Sequence, residues 1–279
     1  MLERLPTEDF VPGEIPTYVD VQNLHDIYDS LAFTANVILV GPKGIGKSLS
    51  VAAYAANRKT PLVTFDCSED VRRSHMLGMF VLRGGETPFV LGPVTTAFEI
   101  ANEVGECILS LEEINALTPQ MQKGLNATAD FRKKIEVPEA KKVFRLKEGA
   151  KLWIVGTMNT AVYGGTYQLN EDLKSRFNLI PLDYPELGEE KKILSSVLNG
   201  HAAKLRSQVV DSMLRLAHQT RQGEIDYALS TRDLVQLGMN IALLGSKRAF
   251  WILSGKFDDD DRVRVARWVE DIFGITVGG

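Results

Sequence analysis

Residues 41–48 read Gly-Pro-Lys-Gly-Ile-Gly-Lys-Ser, matching G-x-x-x-x-G-K-[ST] at every fixed position, and the flanks narrow the fold further. The run 37–40, Val-Ile-Leu-Val, is short, apolar and β-branched, as a buried parallel strand requires. The stretch 49–57 is Ala-rich and helix-permissive. A strand, a Gly-rich turn and a helix start together make an anion cradle. Backbone N–H groups of the loop point at phosphates, and the glycines let the backbone approach closely. Gly41, Pro42, Lys43, Gly44, Ile45, Gly46, Lys47, Ser48 and Leu49 are therefore the candidate nucleotide-binding residues. Lys47 would reach the β- and γ-phosphates, and the Ser48 hydroxyl would hold Mg²⁺. The competing reading is an ordinary Gly-rich turn after a strand. Agreement at all fixed positions and on both flanks disfavours it.

At 279 residues the chain can build a sizeable core and two modest domains. Apolar content of 44% and charged content of 24% are those of a soluble globular protein. A net charge of −4 argues against a chain that coats nucleic acid, although it leaves room for a local basic patch. Cys67 and Cys107 are too few for a disulfide framework. Both fall in or beside expected core strands and read as buried free thiols in a reducing compartment. The start, Met-Leu-Glu-Arg-Leu-Pro, has no apolar stretch, and no run approaches bilayer-spanning length. The expectation is a cytoplasmic protein with no membrane segment.

The expected core strands are 37–40, 62–65, 107–111, 152–156 and 179–182, separated by helical stretches. That alternation predicts a parallel sheet covered on both faces. Pro181 inside the last run suits an edge position. Residues 1–17 are Pro-rich and read as a strap over the nucleotide, and 19–31 has helical periodicity. Beyond 185 no alternating apolar strand appears, and 189–198, 204–220, 232–244 and 262–273 read as helices. Four acids at 258–261 suit the positive end of the last helix dipole. The predicted fold class is α/β: a P-loop NTPase parallel sheet flanked by helices over 1–185, followed by a smaller all-α lid domain over 186–279.

Nucleotide chemistry needs a second, acidic site at a strand end facing the loop. Leu-Ser-Leu-Glu-Glu-Ile-Asn at 109–115 supplies it, since its apolar strand carries the acids to the carboxyl edge of the sheet. Glu112 would hold Mg²⁺ through water, and Glu113 would orient or deprotonate an attacking water. Two solvated acids at a strand end are the alternative.

Several further segments occur in a telling order: Phe-Val-Leu-Gly-Pro-Val at 89–94, Gly-Thr-Met-Asn at 156–159, Leu-Lys-Ser-Arg-Phe at 173–177, Asp-Tyr-Pro at 183–185 and Leu-Ser-Thr-Arg at 229–232. With the two motifs above, they make the chain resemble the AAA+ ATPases over about residues 15–275, and more narrowly their MoxR-like branch. The resemblance implies hydrolysis of ATP with Mg²⁺ (GTP remains open) by a homo-oligomeric ring, a hexamer, acting on a client or von Willebrand A-type partner protein. It implies that Asn159 polarises the water between Glu113 and the γ-phosphate. It makes Arg176 an arginine finger for the neighbouring subunit's nucleotide, and Arg232 the lid arginine that contacts the γ-phosphate. The competing readings are an Asn in a turn, an Arg176 paired with Glu171 or Asp172, and a solvated Arg232. Ser230 reads as an N-cap with Asp233 in the first turn, so a cation at 232 works against the helix dipole. The family usually carries Asp at position 112. Glu places the carboxylate one methylene further out, which bears on hydrolysis rate more than on nucleotide binding.

Two insertions sharpen the likeness. Residues 79–91 read as two short strands about a Gly-Gly turn after a helix-like 68–77, and 133–146 reads as a second hairpin. The second carries Arg132, Lys133, Lys134, Lys141, Lys142 and Arg145 on itself or its approach. Solvated hairpin edges protected by lysine, an acidic partner protein and a nucleic-acid backbone each fit such a collar. No aromatic residues alternate with these charges as a single-strand stacking platform requires. His25, His75, His201 and His218 are isolated, so no zinc or Cys/His site is argued. Three functions therefore remain in order: a ring ATPase that remodels or activates a protein, a nucleic-acid-associated motor or restriction-type GTPase component, and a nucleotide-binding scaffold that hydrolyses poorly.

Overall fold

The computed structural model describes residues 2–15, 18–130, 132–160, 166–198, 207–222 and 225–276. Its strands are β1 (Leu2–Glu3), β2 (Val37–Gly41), β3 (Leu62–Asp66), β4 (Gly78–Phe80), β5 (Phe89–Leu91), β6 (Glu106–Glu112), β7 (Lys134–Val137), β8 (Lys142–Arg145), β9 (Lys151–Asn159) and β10 (Asn178–Pro181). The helices of the first part are α1 (Leu24–Leu31), α2 (Lys47–Arg58), α3 (Arg73–Leu77), α4 (Pro93–Val104), α5 (Pro119–Ala129) and α6 (Glu171–Lys174). Those of the second are α7 (Leu187–Leu198), α8 (Ser207–Arg221), α9 (Thr231–Leu244), α10 (Ser246–Ser254) and α11 (Asp259–Phe273). The chain divides into two compact units, one of Met1–Ile15, Asn23–Gly41 and Lys47–Leu182, the other of Pro16–Gln22, Pro42–Gly46 and Asp183–Gly279.

The first unit is a five-stranded parallel sheet in the order β10-β2-β9-β6-β3, flanked by helices. Its central strands are apolar on both faces because both faces are covered: Val37, Ile38, Leu39, Ile108, Leu109, Ile154 and Val155 are fully buried. β10 is an edge strand, so Pro181, which has no N–H to offer a ladder, costs it no partner on the open side. β9 is longer than its apolar run suggested, because Thr157, Met158 and Asn159 keep pairing with Leu39, Val40 and Gly41.

The inserted hairpins form at β4–β5 and β7–β8, both antiparallel. The strap expected from the N-terminal residues does not describe 2–15. β1 instead pairs parallel with β5, Arg4 and Thr7 both bind Glu103 on α4, and Phe10 packs on the core. Those anchors are distant in sequence and leave no periodic signal. α1 begins later than its periodicity suggested, since Gln22 and Asn23 sit at φ 61° and 51°, outside helical space. α3 is only one turn of the helix-like 68–77 stretch.

Among its described residues the only regular elements of the second unit are helices, packed around Leu194, Met213, Leu216, Leu229, Leu234 and Ala249. α10 went unread in the sequence, although Ala249, Phe250 and Leu253 form its buried face. Glu190 is fully buried and paired end-on with Arg221, with both oxygens 2.8 Å from guanidinium nitrogens. Thr231 at the start of α9 donates to the same carboxylate at 2.6 Å. A buried charge held this way locks helix ends together, because removing any partner strands the rest. His201 lies outside the described residues.

Candidate functional site

Parallel register decides which side chains meet. Gly41 at the end of β2 lies beside Asn159 at the end of β9, and Glu112 at the end of β6 lies beside Asp66. β9 also pairs with β6, so the strand ends that follow Gly41, Asn159 and Glu112 share one edge of the sheet. Lys47 is the first residue of α2 and is buried. Its Nζ donates to the Gly41 carbonyl at 2.8 Å and to Asn159 Oδ1 at 3.0 Å. Asn159 Nδ2 in turn donates to Glu113 Oε1 at 3.4 Å. An amide joins a cation and an anion here, one end to each, without a charge of its own.

Glu113 follows β6 in the left-handed region, φ 53° and ψ 48°. For a residue with a Cβ this costs on the order of 1 kcal/mol, a strain typical of sites that must aim a side chain. Its N–H donates to Thr157 Oγ1 at 3.1 Å. Thr157 Oγ1 donates to Glu112 Oε2 at 2.7 Å, Ser110 Oγ donates to Glu112 Oε1 at 2.6 Å, and Ser48 Oγ donates to Glu112 Oε2. Ser48 and Glu112 thus present hard oxygen donors in direct contact. That donor set fits Mg²⁺, which takes few protein oxygens and keeps its waters. Ser110 and Thr157 were not singled out by the sequence reading. The signal for Ser110 was present, since it lies two residues from Glu112 and therefore on the same strand face.

In the loop, Gly44 and Gly46 take φ 77° and 96°, which residues with a Cβ rarely adopt. The bend Pro42–Gly46 belongs to the second unit, where the Arg232 N–H donates to the Gly44 carbonyl at 3.2 Å. A Cβ on Gly44 would lie 2.7 Å from the Ser230 Cβ. Ser230 caps α9 through a reciprocal box with Asp233, as its sequence predicts, and the Arg232 side chain is exposed. Lys43, Ser48 and Leu49 are also exposed, while Pro42 and Ile45 are half-buried.

Arg176 is not brought to this cluster. It precedes β10, whose Asn178 pairs with Val37, the first residue of β2. It therefore lies at the amino edge of the sheet, about 13 Å of strand away from Gly41 at the usual rise. Its guanidinium donates to the Asp172 carbonyl and stands 4.0 Å from Asp130 Oδ2. Glu171, a partner considered for it, binds Lys174 instead at 2.8 Å. Asn36 holds the segment, donating from Nδ2 to the carbonyls of Ala129 at 2.9 Å and Arg176 at 3.3 Å and accepting from Lys133 Nζ at 3.0 Å.

Much of the basic charge on the second hairpin is engaged within the chain. Lys134 binds Glu136, Lys142 binds Glu99, Arg132 binds Asp130, and Lys133 binds Asn36. Cys67 and Cys107 are buried free thiols. Burial pushes the Cys107 thiol up to about 12 and raises Cys67 further, so neither offers a thiolate nucleophile at neutral pH. Among the described residues no helix is long and apolar enough to cross a membrane.

The sequence profile of the AAA domain of the dynein-related subfamily matches residues 36–177. That span holds the loop, the acids, Asn159 and Arg176. The chain is similar to the uncharacterized protein YojN of Bacillus subtilis, 29% identical over 261 residues, covering 90% of this chain and 82% of that one. It is similar to an uncharacterized protein of Staphylococcus aureus, 30% identical over 222 residues, covering 77% and 81% of the two chains. An uncharacterized protein of Staphylococcus haemolyticus is 28% identical over 224 residues, covering 77% and 81%.

Proposed function

This chain belongs to the dynein-related subfamily of AAA domains, and on that premise we propose that it hydrolyses ATP with Mg²⁺ in a homo-oligomeric ring, a hexamer, to remodel or activate a partner protein. The observation that carries the reading is the continuous chain Lys47–Asn159–Glu113 beside the Ser48–Glu112 pair. It sets a cation, a neutral amide and a carboxylate at one sheet edge, which supports their roles as phosphate binder, water-polarising group and base.

In this reading the loop amides and Lys47 bind the triphosphate, and Ser48 and Glu112 hold the metal ion, which neutralises charge developing on the phosphates. Glu113 accepts the proton of the attacking water, and Asn159 fixes both Glu113 and Lys47 so that neither drifts. Arg232 reads the γ-phosphate from the start of α9. Arg176 serves a neighbouring copy. Its place at the amino edge of the sheet, opposite its own acids, supports action in trans.

The MoxR-like assignment, and with it a client or von Willebrand A-type partner, rests on the segment order in the sequence. The local pairing of hairpin charges disfavours a nucleic-acid backbone as the main ligand. The test is calorimetric titration of ATP and GTP with Mg²⁺ into the wild type and the Lys47→Ala variant. Nucleotide binding by the wild type and its loss in the variant are expected. Equal binding by both overturns the assignment.

A further inference from the structure

The acid at position 112 is gripped more fully than a simple metal contact requires. One carboxylate oxygen takes the Ser110 hydroxyl at 2.6 Å, and the other takes Thr157 at 2.7 Å together with Ser48. Ser110 and Thr157 are 1% and 2% exposed, so neither hydroxyl can exchange its partner for solvent. Thr157 has a second task, since its oxygen accepts the Glu113 N–H at 3.1 Å. One hydroxyl therefore ties the side chain of the first acid to the backbone of the second. An Asp is shorter by one methylene (about 1.5 Å, from ordinary bond lengths), so from the same backbone position its carboxylate is set back from the three hydroxyls that meet Glu112.

We propose that Ser110 and Thr157 form a hydroxyl clamp that fits the longer acid, Glu112, to the metal side of the site, and that Thr157 couples this fit to the orientation of Glu113. Both are positioning residues and act through the acids. The clamp rests on the reading that Ser48 and Glu112 hold Mg²⁺. Buried donors to a carboxylate hold a flexible side chain in one rotamer. Freed of the clamp, Glu112 samples rotamers that do not face Ser48. Metal-assisted binding then weakens, while the loop's own grip on the nucleotide persists.

The experiment measures ATP affinity by calorimetry with Mg²⁺ and again with EDTA, for the wild type, Thr157→Val, Thr157→Ser, Ser110→Ala and Glu112→Asp. Thr157→Val is expected to lose about tenfold of the Mg²⁺ enhancement, the loss of one such bond, with its EDTA affinity within about twofold of wild type. Thr157→Ser restores the enhancement, and Ser110→Ala loses about threefold. In a Glu112→Asp background Thr157→Val is expected to cost less of the Mg²⁺ enhancement than in the wild type, because the shorter acid engages the clamp less fully. Full Mg²⁺ enhancement in Thr157→Val, or in Ser110→Ala should the former not fold, overturns the clamp and leaves the metal reading standing. Absence of any Mg²⁺ enhancement in the wild type overturns the metal reading, and the clamp with it.

Discussion

Lys47 and Asn159 are 112 residues apart in the chain and meet through a 3.0 Å hydrogen bond from Nζ to Oδ1. The amide nitrogen of the same Asn159 reaches Glu113 Oε1 at 3.4 Å. A lysine and a carboxylate therefore share a single neutral side chain, the arrangement that the proposed hydrolysis uses. Asn159→Ala is expected to lower ATP turnover by about 100-fold, the scale for losing one preorganised dipole at a reacting centre. Nucleotide affinity should fall by no more than about threefold, because the loop and Lys47 remain. Phosphate release and calorimetry on the same protein check this, and a variant with wild-type turnover removes Asn159 from its role.

In the proposed ring, Arg176 would divide binding from catalysis between copies of the chain. The Arg176→Ala variant is expected to bind nucleotide normally and to lose about 1,000-fold in hydrolysis, within the usual range for an arginine finger. Mixing it with Lys47→Ala subunits should restore part of the activity, since each composite site then borrows one intact half. No rescue at any mixing ratio contradicts action in trans.

Lys133 supplies a pH-dependent term in stability. Burial pushes its ammonium down from the ordinary 10.5 to about 8, against the pull of Asp130. The folded chain thus loses this proton near pH 8 and the unfolded chain near 10.5, so between those values the unfolded state binds more protons. Stability contributed by this group rises with pH across that window, and the burial cost is fully present below it. Relative to Lys133→Met, the wild type is expected to gain about 2 kcal/mol between pH 7.5 and 10.5, an order-of-magnitude figure. Urea unfolding at both values measures it, and a constant difference between the two proteins refutes it.

What the sequence made legible were features dictated locally. Apolar runs marked all five strands of the central sheet, because a strand buried on both faces has little choice of residue. The loop was legible because a tight bend of this kind needs glycine at fixed positions, and Gly44 and Gly46 take the positive φ values that favour it. The Ser230 cap was legible because a capping box spans only four residues. Contacts made across long separations were not legible. Arg4 and Thr7 find Glu103, Asn36 finds Lys133, and Thr157 finds Glu112 only once strands and helices have been placed. α10 escaped because its polar start follows directly on the end of α9, with only Gly245 between them.

In the proposed reaction Glu113 activates water against a triphosphate held by the loop, and the Glu113→Gln variant separates that step from binding. The amide keeps the size and hydrogen-bonding reach of the side chain and removes the base. Incubated with radiolabelled ATP and Mg²⁺, the variant is expected to retain unhydrolysed ATP through gel filtration, with phosphate release at least about 100-fold below wild type. Wild-type turnover in that variant rules out Glu113 as the base, and no retained nucleotide in either protein rules out a triphosphate site at the loop.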